Sequence, residues 1–315
     1  MVQVRAILVA ALALLAAAGC GGSGPPAAPK GDLRILSLTP SVTEVLFAMG
    51  LGPHVVGRST YCTWPPEAKD LPAVGDTMQL SLEKVIRLQP TVAFLVTRRE
   101  AVPRRLEGLG IRTVALDTDT MPQLLESIRT IGCETGHQAE AQALINRIQA
   151  DLEAVRRRVA GLPRPKVLFA FPMTVGSSQI MVAGRGSFVD ELLDVAGAEN
   201  AYAARADWPN IGPQQVIALE PDVVIINATG EDSPPDRLQT IRHAWDALTS
   251  VPAVARGRVH ILTESYLTIP GPRVGEAARL LAETIHPAPP GHSPARHGGQ
   301  SSPWRRPELR AETTP

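Results

Sequence analysis

Cysteine and aromatic residues are scarce in this sequence, three and twelve in 315. So few cysteines exclude a disulfide-built mini-domain, and a hydrophobic content of 44% excludes a fully disordered chain. An excess of one charge is also absent, since 31 basic side chains stand against 31 acidic ones. Between residues 20 and 286 the balance is 26 basic to 29 acidic. Neither figure gives an electrostatic reason to bind nucleic acid. The common catalytic constellations are missing too. There is no phosphate-binding loop of the Gly-x-x-x-x-Gly-Lys type and no Gly-x-Ser-x-Gly elbow, and Gly184-Arg185-Gly186 fails the dinucleotide pattern because Val189 stands at its last glycine. His54, His137, His243, His260 and His286 are scattered, which disfavours a dedicated metal site. No catalytic pair, metal site or cofactor is assigned. What remains is a soluble α/β or α+β protein.

The N-terminus runs without interruption through apolar residues from Ala6 to Ala18 and closes on Gly19-Cys20. As a helix this run rises about 20 Å, short of the ~30 Å hydrocarbon core, so a cleaved signal (1–19) is the better reading than a membrane span. Small residues before a single cysteine resemble a bacterial lipoprotein signal, with Cys20 as the lipidated residue. Residues 20–32 are rich in Gly, Pro and Ala and read as a flexible tether. Residues 288–315 lack hydrophobic period and read as a disordered tail, with His292 and His297 solvated in it. Cys62 and Cys133 either pair or remain two buried thiols.

Between the ends, strands and helices alternate. Arg34 to Leu38 reads as a buried strand, and Ser41-Val42-Thr43-Glu44 as a capping box opening a helix that stops at Gly50. A second box at Ser81-Leu82-Glu83-Lys84 precedes a helix ending at Gln89-Pro90 and a strand at 91–96. A helix (101–109), a strand (113–116) and a helix (121–131) complete a βαβ-type lobe, 33–136. Glu44, Glu83 and Glu191 fall in first helical turns, where the helix dipole explains them. Ala141, Leu144, Ile145, Ile148, Leu152, Val155 and Val159 recur at steps of three and four. That spacing predicts one amphipathic helix of about 24 residues, roughly 36 Å long, in the segment 137–162. Strand-helix alternation resumes in 163–287.

The halves also resemble each other. Residues 83–92 line up with 214–223 at an offset of 131, and Thr43-Glu44-Val45-Leu46 through Gly50 matches Asp190-Glu191-Leu192-Leu193 through Gly197 at 147. Two matches in one order predict two similar lobes, joined by a strut, with a cleft between them. Tyr61, Trp64, Trp208 and Tyr266 sit on loops of both halves. From there they can grip a large, flat, partly apolar ligand by ring contacts, each worth roughly 0.5 to 1.5 kcal/mol beyond area burial. Trp245, inside a helical pattern, reads as core.

Residues 34–44, the 61–66 loop, residues 81–90 and the turn Ile269-Pro270-Gly271-Pro272-Arg273 resemble the iron-siderophore and vitamin B12 class of ABC transporter substrate-binding proteins, over about residues 33–287. The resemblance implies an α/β fold of two Rossmann-like lobes bridged by a single long α-helix, closing modestly on a ligand. It implies a monomeric, lipid-anchored, extracytoplasmic (periplasmic or cell-surface) binder that is not an enzyme. Its partners would be permease subunits of an ABC importer and a small-molecule metal chelate, most simply a cobalt corrinoid. The alternatives are a ferric siderophore or heme within the class and, outside it, an anchored α/β hydrolase, for which the sequence shows no nucleophile and base. Tyr61 and Trp208 match aromatics that contact cobalamin in the family. Thr77 stands where a tryptophan is expected, and Ser265 and Ile269 where an acid and an arginine are. Glu83 matches one of two permease-docking glutamates, and Gln214 falls at the other.

Overall fold

The computed structural model describes residues 32–96, 101–172, 179–204, 208–229 and 235–287. The first lobe contains β1 (Ile35–Ser37), α1 (Pro40–Ala48), β2 (Val55–Arg58), α2 (Leu82–Leu88), β3 (Val92–Val96), α3 (Ala101–Glu107), β4 (Arg112–Leu116) and α4 (Met121–Thr135). The long helix α5 (Gln138–Val159) leads into β5 (Lys166–Ala170), β6 (Ile180–Met181), α6 (Phe188–Val195), β7 (Glu199–Asn200), β8 (Asn210–Ile211) and α7 (Pro213–Leu219). Then follow β9 (Val223–Asn227), α8 (Pro235–Asp246), α9 (Pro252–Ala255), β10 (Val259–Leu262) and α10 (Val274–Ile285). The signal, Cys20, the tether and the 288–315 tail lie outside the described residues.

Each lobe is built on a parallel four-stranded sheet, in the order β2-β1-β3-β4 and β7-β5-β9-β10. Taken in chain order the two series are the same topology, so the repeat expected from the sequence extends to the whole lobe. Its local geometry repeats as well. Gln89 and Glu220, 131 residues apart, end α2 and α7 in the left-handed region at φ 47° and 48°, and they are the positive-φ non-glycine residues among those described. Gly50 and Gly197, 147 apart, follow α1 and α6 at φ 78° and 77°. Glycine occupies that region without the Cβ clash other residues suffer.

Consecutive residues of the buried strands face opposite sides of each sheet. Ile35, Val92 and Phe94 of the first sheet join Val167, Phe169, Val223 and Ile225 of the second in one core that includes the buried stripe of α5. The opposite faces have separate cores, one around Leu36, Ala93 and Leu95 and the other around Leu168, Val224, Ile226 and a fully buried Trp245. Trp245 is therefore core, as its helical setting indicated.

The strut buries the seven residues picked out by spacing, Ala141, Leu144, Ile145, Ile148, Leu152, Val155 and Val159. α10 crosses it so closely that a Cβ on Gly275 would lie 2.5 Å from Asp151 Cβ. At roughly 1.5 to 3 kcal/mol per buried large aliphatic side chain, a wide hinge that exposed this stripe would be costly. The buried stripe thus opposes a hinge motion that would part the lobes.

Candidate functional site: the seam between the lobes

Because all strands in each sheet are parallel, each lobe has one carboxyl edge, the place where open α/β sheets take ligands. β1 leads there into α1, β2 into the Ser59–Tyr61 loop, and β10 into the turn that carries Tyr266 and then Arg273. A contact across the chain shows that these edges face each other. Arg273 Nε donates to Glu44 Oε2 at 2.9 Å and Nη2 to Oε1 at 2.5 Å, a bidentate pair between residues 229 apart. Both side chains are nearly enclosed, 9% and 2% exposed. Burial pushes the Glu44 carboxyl up, and the hydrogen bonds and charge of Arg273 pull it back down.

The Ser41–Glu44 capping box is not formed. Proline at position 40 suits the first helical turn, so α1 begins there with Thr39 as its N-cap. The Thr39 hydroxyl accepts from Val96 N–H instead, at 2.9 Å. Ser41 is thus inside the helix, with its hydroxyl buried and unpartnered, and Glu44 is freed to cross the seam. The Ser81 cap does form, accepting from Lys84 N–H at 3.4 Å.

Glu191, the counterpart of Glu44 at an offset of 147, also crosses the seam. Its Oε2 accepts from Met121 N–H, at the start of α4 in the other lobe, at 2.5 Å. Burial pushes its carboxyl up as well, opposed by the Met121 bond. Both glutamates were explained by their own helix dipoles in the sequence, and both serve the opposite lobe in the fold.

The four loop aromatics divide into two pairs. Trp64, from the first lobe, and Tyr266, from the second, are half-buried against Arg273, with ring centroids 4.6 Å and 5.0 Å from the guanidinium carbon. Cation–π contacts of this kind are worth about 0.5 to 2 kcal/mol. Tyr61 and Trp208 stay open, at 66% and 36% exposure. Trp208 rests edge-on against Phe171 at 5.3 Å, just past the end of β5, a support that sequence reading missed. Thr77 is half-buried in a loop tied to the Tyr61 loop by Thr60 N–H to Gly75 O at 2.8 Å. Asp76 Oδ1 accepts from Met78 N–H at 2.7 Å, and the Met78 side chain is 67% exposed.

Cys62 is a buried free thiol, so it does not pair with Cys133. Burial raises its pKa, and Ser59 Oγ lies 3.1 Å from the sulfur. A protonated, enclosed thiol is a poor nucleophile. Among the described residues no three His, Cys, Asp or Glu side chains converge to hold a metal ion.

Glu83 and Gln214 occupy matching, exposed positions in the first turns of α2 and α7. Glu83 forms an ion pair with Arg87 one turn on, whereas the residue matching Arg87 is Ala218. A cavity of about 870 Å3 also opens along the seam, between α4 and α6, and none of the four loop aromatics lines it. Its wall holds four arginines and four acids, with Arg164 paired to Asp194 at 2.6 Å, so it offers no net charge to a ligand.

Residues 35–266 match the family model described as periplasmic binding protein. The chain belongs to that family. Its lobes, strut and facing carboxyl edges are the periplasmic binding protein fold. It is 29% identical over 264 residues, 82% of this chain and 81% of the relative, to an uncharacterised ABC transporter substrate-binding lipoprotein of Bacillus subtilis. It is 26% identical to the vitamin B12-binding protein of Salmonella typhimurium, over 80% of this chain and 90% of that one. Among solved structures it is similar to a periplasmic heme-binding protein from Roseiflexus sp. RS-1 in apo form, with 28% identity and a TM-score of 0.70 over 81% of this chain and 98% of that one.

Proposed function

We propose that this periplasmic binding protein is the extracytoplasmic, lipid-anchored component of an ABC importer, and that a monomer captures a corrinoid and hands it to the permease without making or breaking a covalent bond. The observation that carries the ligand reading is the exposure of Tyr61 and Trp208 on opposite lobes at facing carboxyl edges. Two open rings, one on each lobe, suit a broad, rigid macrocycle with apolar faces. Titration of cyanocobalamin against intrinsic tryptophan fluorescence tests it. Quenching is expected, and Trp208→Ala is expected to weaken binding about tenfold, in line with loss of a large aromatic contact. No quenching at millimolar ligand would rule the corrinoid out.

Heme is the second reading, favoured by the exposed phenol of Tyr61 and thioether of Met78 on adjacent loops, since both groups can ligate heme iron. A Soret band shifted on mixing with hemin, and changed again in Met78→Ala or Tyr61→Phe, would select it.

Delivery is assigned to the exposed first turns of α2 and α7. With Gln214 in place of an acid, a charged contact with the permease comes from Glu83 alone, and Arg87 holds that carboxylate before docking. Glu83→Gln is expected to cut permease-coupled uptake while leaving ligand affinity unchanged. Wild-type uptake in that variant would remove the assignment.

A further inference from the structure

The Arg273 guanidinium has five donors in a fixed fork, and the structure accounts for only part of it. Glu44 takes Nε and Nη2. Trp64 and Tyr266 pack near the guanidinium. Nη1 makes no hydrogen bond to the described residues, and it is not among the enclosed, unpartnered atoms, which include Ser41 Oγ and Trp245 Nε1. A donor that is neither bonded nor sealed in is in contact with solvent, here at the seam where side chains of both lobes meet.

We propose that Arg273 is a ligand-binding residue of the cleft, its Nη1 donating to a neutral oxygen acceptor such as a peripheral amide carbonyl, with Glu44 as the positioning residue that holds the fork. The assignment deepens the corrinoid reading and rests on it for the identity of the macrocycle. The preference for a neutral acceptor over a carboxylate follows from the surrounding charge. Among the described residues, Glu44 pairs directly with Arg273, and Glu264 and Glu276 act on the adjacent Tyr266 ring against Arg273 and Arg279, three acids to two arginines. A ligand carboxylate approaching Nη1 meets a guanidinium already neutralised by Glu44, with further acids behind it. An amide carbonyl accepts the same hydrogen bond without that repulsion. A corrinoid presents peripheral amides, whereas heme presents two carboxylates, so this residue bears directly on selectivity.

The test is isothermal titration of the full chain with cobalamin and with its monocarboxylic acids, each having one peripheral amide hydrolysed. For at least one acid, wild type is expected to bind about five- to tenfold more weakly than to the amide. Glu44→Gln keeps an acceptor for the fork but removes the neutralising charge, so for that acid the penalty should shrink to within twofold or reverse. A merely structural Glu44 would leave this ratio unmoved. Should Glu44→Gln fail to fold, Arg273→Lys keeps the charge and loses the fork, and its affinity for the amide form is expected to fall about tenfold. Ratios equal in wild type and Glu44→Gln, or an Arg273→Lys affinity within twofold of wild type, would overturn the proposal. If cobalamin does not bind but hemin does, the corrinoid reading fails and hemin against its dimethyl ester reads the same point. The neutral ester should then be favoured in wild type and lose its advantage in Glu44→Gln. Failure of both macrocycles to bind would sink both claims.

Discussion

Among the described residues, glutamates at the same register of the two lobes each reach across the seam, and the fastenings they make differ. Glu44 of the first lobe meets a guanidinium, Arg273, at the N-cap of α10, and is almost completely enclosed. Glu191 of the second lobe meets a backbone N–H, Met121, at the start of α4, and is only partly buried. The corresponding N-cap there is Thr120, whose hydroxyl accepts from Gln123 N–H of its own helix. The two halves thus carry the same acid at the same register and differ in what it meets. One seam contact is a charged corner lined by rings, the other a polar brace beside an open cavity.

Removing each acid in turn gives the largest expected difference. Glu44→Ala strands a buried guanidinium, and a loss of about 3 to 5 kcal/mol of unfolding free energy is expected in urea melts. Glu191→Ala breaks one hydrogen bond at a partly solvated site, for about 1 kcal/mol. Equal losses would mean that the two fastenings are energetically alike despite their geometry.

The pH response sharpens the contrast by a smaller amount. Burial lifts the Glu191 pKa in the folded state above its ordinary value of 4.5, so the folded chain holds that proton more tightly than the unfolded chain does. Its contribution is then complete below pH 4.5 and declines as pH rises from there through the raised folded value. Glu191→Gln keeps an acceptor for Met121 N–H and removes the titration. Stability measured across that window is expected to be flatter in the variant than in wild type.

The smallest effect concerns the ring on Arg273. Burial, with Glu264 and Glu276 nearby, pushes the Tyr266 phenol up to about 12. Spectrophotometric titration of the folded protein should show a tyrosine that remains un-ionised past pH 11, and Tyr266→Phe should delete that late step. If the variant leaves the late step in place, the phenol is not the buried one.

Much of this architecture was legible in the sequence, for reasons that differ by element. The strut could be read because seven apolar residues on one stripe have no local explanation other than burial, and those seven are the ones buried. The repeat could be read because helix ends before proline, at Gln89 and Glu220, demand an unusual backbone that leaves a sequence trace. The Glu44–Arg273 pair could not be read by local rules, since each partner had a sufficient explanation close by: a helix dipole for the acid and a proline-flanked turn for the arginine. One signal was present but unused. The same acid at the same register of both halves, Glu44 and Glu191, is difficult to assign to dipoles alone. The division of the loop aromatics was hidden for a related reason. Nothing near Trp64 or Tyr266 in the chain reveals that one distant cation engages both, and nothing near Trp208 reveals Phe171.

The apolar stripe of α5 has a further consequence for how the molecule comes apart. Since the inward faces of both sheets share that stripe, neither half owns a complete interior, and neither can shed its structure without exposing the other's. Thermal or chemical denaturation is therefore expected to take both lobes together, as one transition that coincides for probes placed in either half. A fragment ending at Gly136 or starting at Leu162 would present a bare apolar face and should collect as aggregate.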